Sequence, residues 1–473
     1  MLDGKASRDA VIVAIGPLGA ALSSMVLTVL MSWNFAPAVL GALAILELVA
    51  LFFVMICTLG LDQAYVREYA TSRDRQALFA AAVTVPVVIG AAVALVLSFM
   101  LPRLGVRILS EAGSAGIVFA AIYAFAALLI RMLSVTLRMS GSPAIFSALQ
   151  VAQRGATVAI LAVVLLVSKD GGPKTAIACY VAGALVSVAL HFAACRTEVR
   201  HAARHLVDTA LFRSLLRYGF PVVFAASLYV LLSSADRLSL AFFGTGTELG
   251  RYAVALSIAG AVNIFTSIFS VIWAPMIYRN EELARDEKII RPYLETVTCL
   301  TFISGGGVAA VAWFLPMIFP RDYAEVAFFV PACMALPLLY VLAEAFGIGI
   351  GVSRRMVFAA GASGISALTA LIVCGLLVPG YGARGASFGV LVGAYCFLIL
   401  RTEFGAVLWY RLPSRSMYLV AGLYFVGCVG SLFGGDRLGS FYPLCWIGFV
   451  LACGLMFHQR IAAGVTMLRL RLG

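Results

Sequence analysis

Residues 38–60 read AVLGALAILELVALFFVMICTLG. The run carries one ionisable group, Glu47, and matches the ~20 apolar residues a helix needs to cross a bilayer. Thirteen further runs of the same kind surround it. They are 10–31, then 78–101, 115–135, 145–168 and 174–194, followed after a basic interval by 219–243, 250–275, 294–315, 325–350, 357–378, 384–404, 417–433 and 440–457. Because lipid offers backbone groups no hydrogen bonds, such runs predict an all-α, polytopic integral membrane protein of about fourteen transmembrane helices. The composition agrees: 63% hydrophobic residues, 12% charged and a mean hydropathy of +1.03 leave no stretch for a soluble domain.

The net charge of +12 does not point to nucleic acid, because the basic residues form no folded patch. With the N-terminus in the cytoplasm, 24 of the 34 basic residues fall on the cytoplasmic side and 8 on the other, from Arg103 to Arg437. That bias predicts cytoplasmic N- and C-termini. The first run is too long and lacks the small-residue site of a cleavable signal, so it is expected to remain a span. The ten cysteines are scattered without CxxC spacing and read as small core residues.

The basic interval divides the chain: residues 1–195 form a first lobe of six spans, 196–218 a cytoplasmic linker, 219–404 a second lobe of six, and 405–473 two appended spans and a tail. A faint repeat supports two pseudo-symmetric lobes. Gly16-Pro17, Leu40-Gly41 and Tyr65-Val66-Arg67 in the first half correspond to Gly219-Phe220-Pro221, Leu249-Gly250 and Tyr278-Arg279 in the second. Both copies keep one orientation, a parallel repeat common in transporters. Prolines 17, 86, 221, 275, 331 and 337 fall in or beside spans and either kink helices for motion or shape packing. Gly347 and Gly351 make a GxxxG step suited to close helix approach.

No GxxxxGK[ST] loop exists to bind ATP, and no histidine pattern suits a metal; His201 and His205 share a helix spacing on a basic linker. Neither a catalytic residue nor a metal ligand is assigned. The informative residues are charges inside spans, each costing several kcal/mol in hydrocarbon unless it faces a cavity or a partner. These are Glu47, Arg131, Arg154, Asp236, Arg237 and Glu344, with Arg138 at the cytoplasmic mouth. Arginine stays charged and offers a planar fork for phosphate oxygens, so Arg154, Arg237, Arg131 and Arg138 are the candidate cations for an anionic substrate. Snorkelling to the interface is the competing account of Arg131 and Arg138, and helix pairing that of Asp236 and Arg237.

Leu59-Gly60-Leu61-Asp62-Gln63-Ala64-Tyr65-Val66-Arg67-Glu68-Tyr69 resembles a cytoplasmic loop of the bacterial O-antigen and exopolysaccharide flippases of the multidrug/oligosaccharidyl-lipid/polysaccharide (MOP) superfamily. So do Ser234-Ala235-Asp236-Arg237-Leu238, Leu249-Gly250-Arg251-Tyr252-Ala253 and Trp273-Ala274-Pro275-Met276-Ile277-Tyr278-Arg279. The resemblance implies a MATE-like two-lobed fold with a cationic cavity, moving undecaprenyl-diphosphate-linked oligosaccharide across the bacterial inner membrane by alternating access. On it, the arginines hold the substrate, while Asp236, Glu47 and Glu344 serve H+ or Na+ coupling or gating. No other cofactor is expected. The implied partners are the lipid-linked oligosaccharide, membrane lipids, a polysaccharide polymerase and a chain-length regulator. The alternatives are a peptidoglycan lipid-precursor flippase and a MATE-type multidrug/cation antiporter, the latter disfavoured by the absence of a carboxylate between Asp9 and Glu47. A polytopic glycan polymerase or ligase stands behind them, because the short outward loops offer no acid and base pair.

Overall fold

The computed structural model describes residues 4–104, 113–140, 143–167, 172–202, 207–263 and 285–458, with 266, 269, 270, 273 and 276–278 between the last two stretches. The described residues are helical and contain no strand. Arg279, His205 and the basic tail residues Arg460, Arg469 and Arg471 lie outside them, as does Pro275. The chain divides into two compact units, Met1–Ser227 and Leu228–Gly473.

The first unit contains α1 (Gly4–Asn34), α2 (Pro37–Thr58), α3 (Leu61–Glu68), α4 (Arg75–Leu104), α5 (Gly113–Met139), α6 (Pro143–Val167), α7 (Pro173–Ala194) and α8 (Arg196–Ala202), and most of α9 (Thr209–Leu232). Proline opens α2, α6 and α7, where its missing N–H costs nothing. α1 packs against α6, and α5 packs against α2, α4 and α7. α2 ends with Leu59 at φ +50 and Gly60 at φ +76, which turns the chain into the short amphipathic α3. Only glycine fits at 60: a Cβ there would lie 2.1 Å from the Gly219 carbonyl oxygen. Leu61, Ala64 and Tyr65 of α3 then join Cys195 and Leu215 in one buried cluster, with Leu211 packed against it. Helix α9 starts inside the segment read as a linker, because the Asp208 carboxylate accepts from the Ala210 N–H at 2.8 Å and caps it.

The second unit continues with α10 (Ala235–Phe243), α11 (Gly246–Ala259), α12 (Glu287–Val311), α13 (Val326–Phe346), α14 (Met356–Leu408), α15 (Arg415–Leu438) and α16 (Tyr442–Met456). The run read as the seventh span is broken: α9 ends at Leu232, and α10 restarts after Ser233 and Ser234. α11 opens with a reciprocal cap between Thr245 and Glu248. α13 is the central helix, buried along almost its whole length and packed against α11, α12 and α14. Its Pro331 cannot donate to the Ala327 carbonyl, and the Tyr442 hydroxyl of α16 fills the vacancy at 3.2 Å. α14 is two helices joined at Gly382, whose φ of +52 and ψ of −128 turn the chain where two spans were expected to meet. The Gly347 step packs against the backbone of Arg401 and Gly405 in α14, a close approach that needs no side chain.

Ten helices among the described residues are long and apolar enough to cross a membrane, α14 counting once despite its turn; α16 and Leu18–Asn34 are shorter apolar helices. Large apolar side chains such as Leu166, Val167, Val357 and Val407 stand exposed on the helices. In water such surfaces would aggregate, and in lipid they are the solvated face. The protein is a multi-pass membrane protein. All ten cysteines are free and eight are buried.

Candidate functional site

In the first unit, Glu47 is the eleventh residue of the 22-residue α2, and Arg154 the twelfth of the 25-residue α6. Both stand at mid-helix, hence near mid-membrane. The Arg154 guanidinium donates to Glu47 Oε1 at 2.7 Å. Their side chains remain 31% and 36% exposed. A charge at this depth cannot face hydrocarbon cheaply, so the exposed part borders a polar space. Tyr123 of α5 and Tyr180 of α7, with ring centroids 6.3 Å apart, lie within electrostatic reach of the pair. Gln150, one turn before Arg154, has a buried amide oxygen with no hydrogen-bond partner among the described residues.

Arg131 of α5 lies near one end of its helix and binds Asp62 of α3 through Nε at 3.1 Å and Nη2 at 2.6 Å. Both nitrogens meet the same carboxylate oxygen, Oδ2, which Gln63 Nε2 also reaches at 3.0 Å. Asp62 is buried, whereas nearly half of Arg131 is exposed. Arg138 follows two helical turns later on the same face and is exposed. Arg67 covers the Tyr218 ring at 4.1 Å, so this end of the unit is lined by guanidinium groups.

In the second unit, Asp236 is fully buried in the first turn of α10. It accepts hydrogen bonds from the Tyr252 hydroxyl and, at 2.6 Å, from the backbone N–H of Arg237. The Arg237 side chain turns back to the Ser233 carbonyl at 3.2 Å and the Ser234 hydroxyl at 3.1 Å, with Nε 3.8 Å from Asp236 Oδ1. The two residues therefore hold the α9–α10 break together. Arg237 Nε is buried without a hydrogen-bond partner among the described residues. Glu344, near the end of α13, accepts from the Ser270 hydroxyl.

The structure thus places Arg154 with Glu47, Arg131 near Arg138, and Asp236 with Arg237, while Glu344 forms no ion pair among the described residues. Sequence reasoning missed two partners. Asp62 sits in a loop-like stretch whose burial depends on the glycine turn before it. Arg401 is one of the 24 basic residues assigned to the cytoplasmic side, yet its Nε is buried and its guanidinium lies 5.5 Å from the Phe397 ring centre.

Helices of this number and packing, with arginines held inside the spans, form a multi-pass helical membrane bundle. The family described as "Polysaccharide biosynthesis protein" matches residues 7–281, more than half of the 473-residue chain. The chain belongs to that family. Among solved structures it is similar to lipid II flippase MurJ in an inward closed conformation, at 12% identity and TM-score 0.69, covering 95% of this chain and all of that one. It is also similar to an inward-facing MATE-family multidrug resistance transporter, at 13% identity and TM-score 0.56, covering 83% and 97%. A MOP-superfamily transporter from Pyrococcus furiosus gives 13% and 0.51, covering 84% and 95%. At these identities the likeness is one of fold. Among curated proteins no sequence matches the chain.

Proposed function

We propose that this chain translocates undecaprenyl-diphosphate-linked oligosaccharide from the inner to the outer leaflet of the bacterial inner membrane by alternating access, supplying surface polysaccharide synthesis. The observation that carries this reading is the Arg154–Glu47 pair at mid-membrane, about one third of each side chain exposed. A guanidinium held by one carboxylate through one nitrogen keeps other donors for phosphate oxygens. Arg131 and Arg138 give the substrate a second cationic contact nearer one end of the same unit. The 24-to-8 bias of basic residues puts both termini in the cytoplasm, and therefore puts Arg131, Arg138 and the Tyr218-capped Arg67 at the cytoplasmic entrance.

Glu47 is the first candidate for proton or sodium coupling, because neutralising it frees Arg154. Asp236 and Glu344 are candidates for coupling or gating in the second unit. A polysaccharide polymerase and a chain-length regulator are the expected partners, since a flipped intermediate must be consumed. Translocation needs no bond made or broken, so the protein is read as a transporter and not an enzyme.

The test is deletion of the gene in its native host, followed by complementation with wild-type and Arg154→Gln copies. Expected are loss of surface glycan, lipid-linked oligosaccharide accumulating on the cytoplasmic leaflet, and rescue by wild type alone. Normal glycan in a deletion strain without a redundant gene would overturn the reading.

A further inference from the structure

We infer that the second unit carries a neutral-sugar subsite formed by Tyr229, Tyr340, Arg401 and Glu344 over a Phe397 floor, which grips the glycan of the lipid-linked substrate. The inference rests on the proposed function above and names a contact for the sugar separate from the diphosphate.

The three rings form a cluster. Tyr340 and Phe397 stack at 5.9 Å between centroids with planes 10° apart, and Tyr229 stands edge-on at 5.1 Å from Tyr340 and tilted at 5.6 Å from Phe397. Phe397 is buried, and Tyr229 and Tyr340 are half-buried at its rim. Each of the two outer rings carries a hydroxyl beside an apolar face. One turn beyond the stacked pair, on helices running in parallel, come Glu344 in α13 and Arg401 in α14. The parallel course is fixed by the contacts of Tyr340 with Phe397 and of Gly347 with Gly405. Both charges are half-buried, and Arg401 lies seven residues before the end of α14, about 10 Å inside it along the axis. Arg401 is not snorkelling, because its Nε is buried and unpaired among the described residues.

The charge chemistry selects the ligand. Unlike Arg154 and Glu47, which neutralise each other at 2.7 Å, Arg401 and Glu344 form no ion pair among the described residues, so a phosphate would leave Glu344 facing a like charge and an organic cation would do the same to Arg401. A sugar hydroxyl both donates and accepts, so it satisfies a donor-only guanidinium and an acceptor-only carboxylate at once. Its ring presents a C–H face that suits the tyrosine rings, as the two charges suit its edge. One aromatic contact with one charge-assisted hydrogen bond is worth about ten-fold in affinity.

The experiment measures binding of two probes to the full-length protein in lipid nanodiscs: undecaprenyl diphosphate alone, and the same lipid bearing the oligosaccharide of the native host. The wild type is expected to bind the glycosylated lipid about ten-fold more tightly. Tyr340→Leu and Arg401→Gln should abolish that preference while leaving affinity for the bare lipid unchanged; Tyr340→Phe, which keeps the ring, should retain most of it. Arg154→Gln should weaken both lipids together. Equal binding of the two lipids by the wild type, or an unchanged preference in both Tyr340→Leu and Arg401→Gln, overturns the subsite and leaves the flippase reading standing. Binding of neither lipid by the wild type overturns both.

Discussion

Changing Arg154 to Gln and Glu47 to Gln, singly and together, separates what their ion pair does for the fold from what the arginine does for transport. Each single change strands one charge near mid-membrane, where it has lost the partner 2.7 Å away. Breaking a fully buried pair costs about 3–5 kcal/mol, and an exposed one about 0.2–1. With side chains 31% and 36% exposed, each single change should cost about 2 kcal/mol. The double change removes both charges and should recover most of that loss, giving a coupling energy of about 3 kcal/mol. Reversible unfolding by SDS in mixed micelles measures the stability of the four proteins. Export of surface glycan in the deletion host measures their function. The double variant should be nearly as stable as wild type and still fail in export, because its stability needs only balance, whereas the substrate needs the guanidinium. Additive single effects would refute the pairing, and full export by the stable double variant would refute Arg154 as the phosphate ligand.

Gly60→Ala should lower stability by at least about 1–2 kcal/mol from the left-handed backbone alone, and more because its methyl meets the Gly219 carbonyl; the amount of folded protein by fluorescence-detected size exclusion checks this. Asp436→Asn removes one of two carboxylates on Arg384, but Asp436 is exposed and Glu325 remains at 3.2 Å; the expected loss is below about 1 kcal/mol in the same SDS titration. Cys195, just past the end of α7, has its thiol pushed up to about 12 by burial and then by Glu198. It should resist maleimide in the folded protein at pH 8 and react once SDS unfolds it, since only the thiolate attacks. Unfolded thiols ionise near pH ~8.5, so Cys195 favours the unfolded chain progressively as pH rises from there towards 12; unfolding titrations at pH 8 and 10 should show stability falling, and less so in Cys195→Ala.

The helices were legible because membrane spans are encoded in composition, which needs no knowledge of neighbours. Residues 38–60 and the observed α2, Pro37–Thr58, differ by two residues or fewer at each end. The seventh span was illegible in its detail for the opposite reason. Nothing in Ser233-Ser234 marks a break as glycine or proline would; the break is held by the Arg237 side chain on the Ser233 carbonyl and Ser234 hydroxyl, and by Asp236 on Tyr252 of the next helix. Such a break is a tertiary fact, settled by groups that meet only after folding.

The same distinction explains which charges could be read. A charge in the middle of an apolar run announces itself, so Glu47 and Arg154 were found, but the run does not say that they meet. Arg401 falls near the end of a run, where the positive-inside pattern offers a sufficient account of any arginine. That account fails here because a neighbouring helix without side chains at Gly347 lets α14 come close and turns the start of the arginine inwards. Charge position along a span therefore reports depth, whereas the direction it faces is decided by the small residues of the helix opposite. A Gly347→Leu change tests this link: by separating α13 from α14 it should open Arg401 to a water-soluble arginine reagent, as Arg401→Gln would confirm by removing the label. Unchanged labelling in a folded Gly347→Leu protein would mean that the glycine step does not hold the arginine in place.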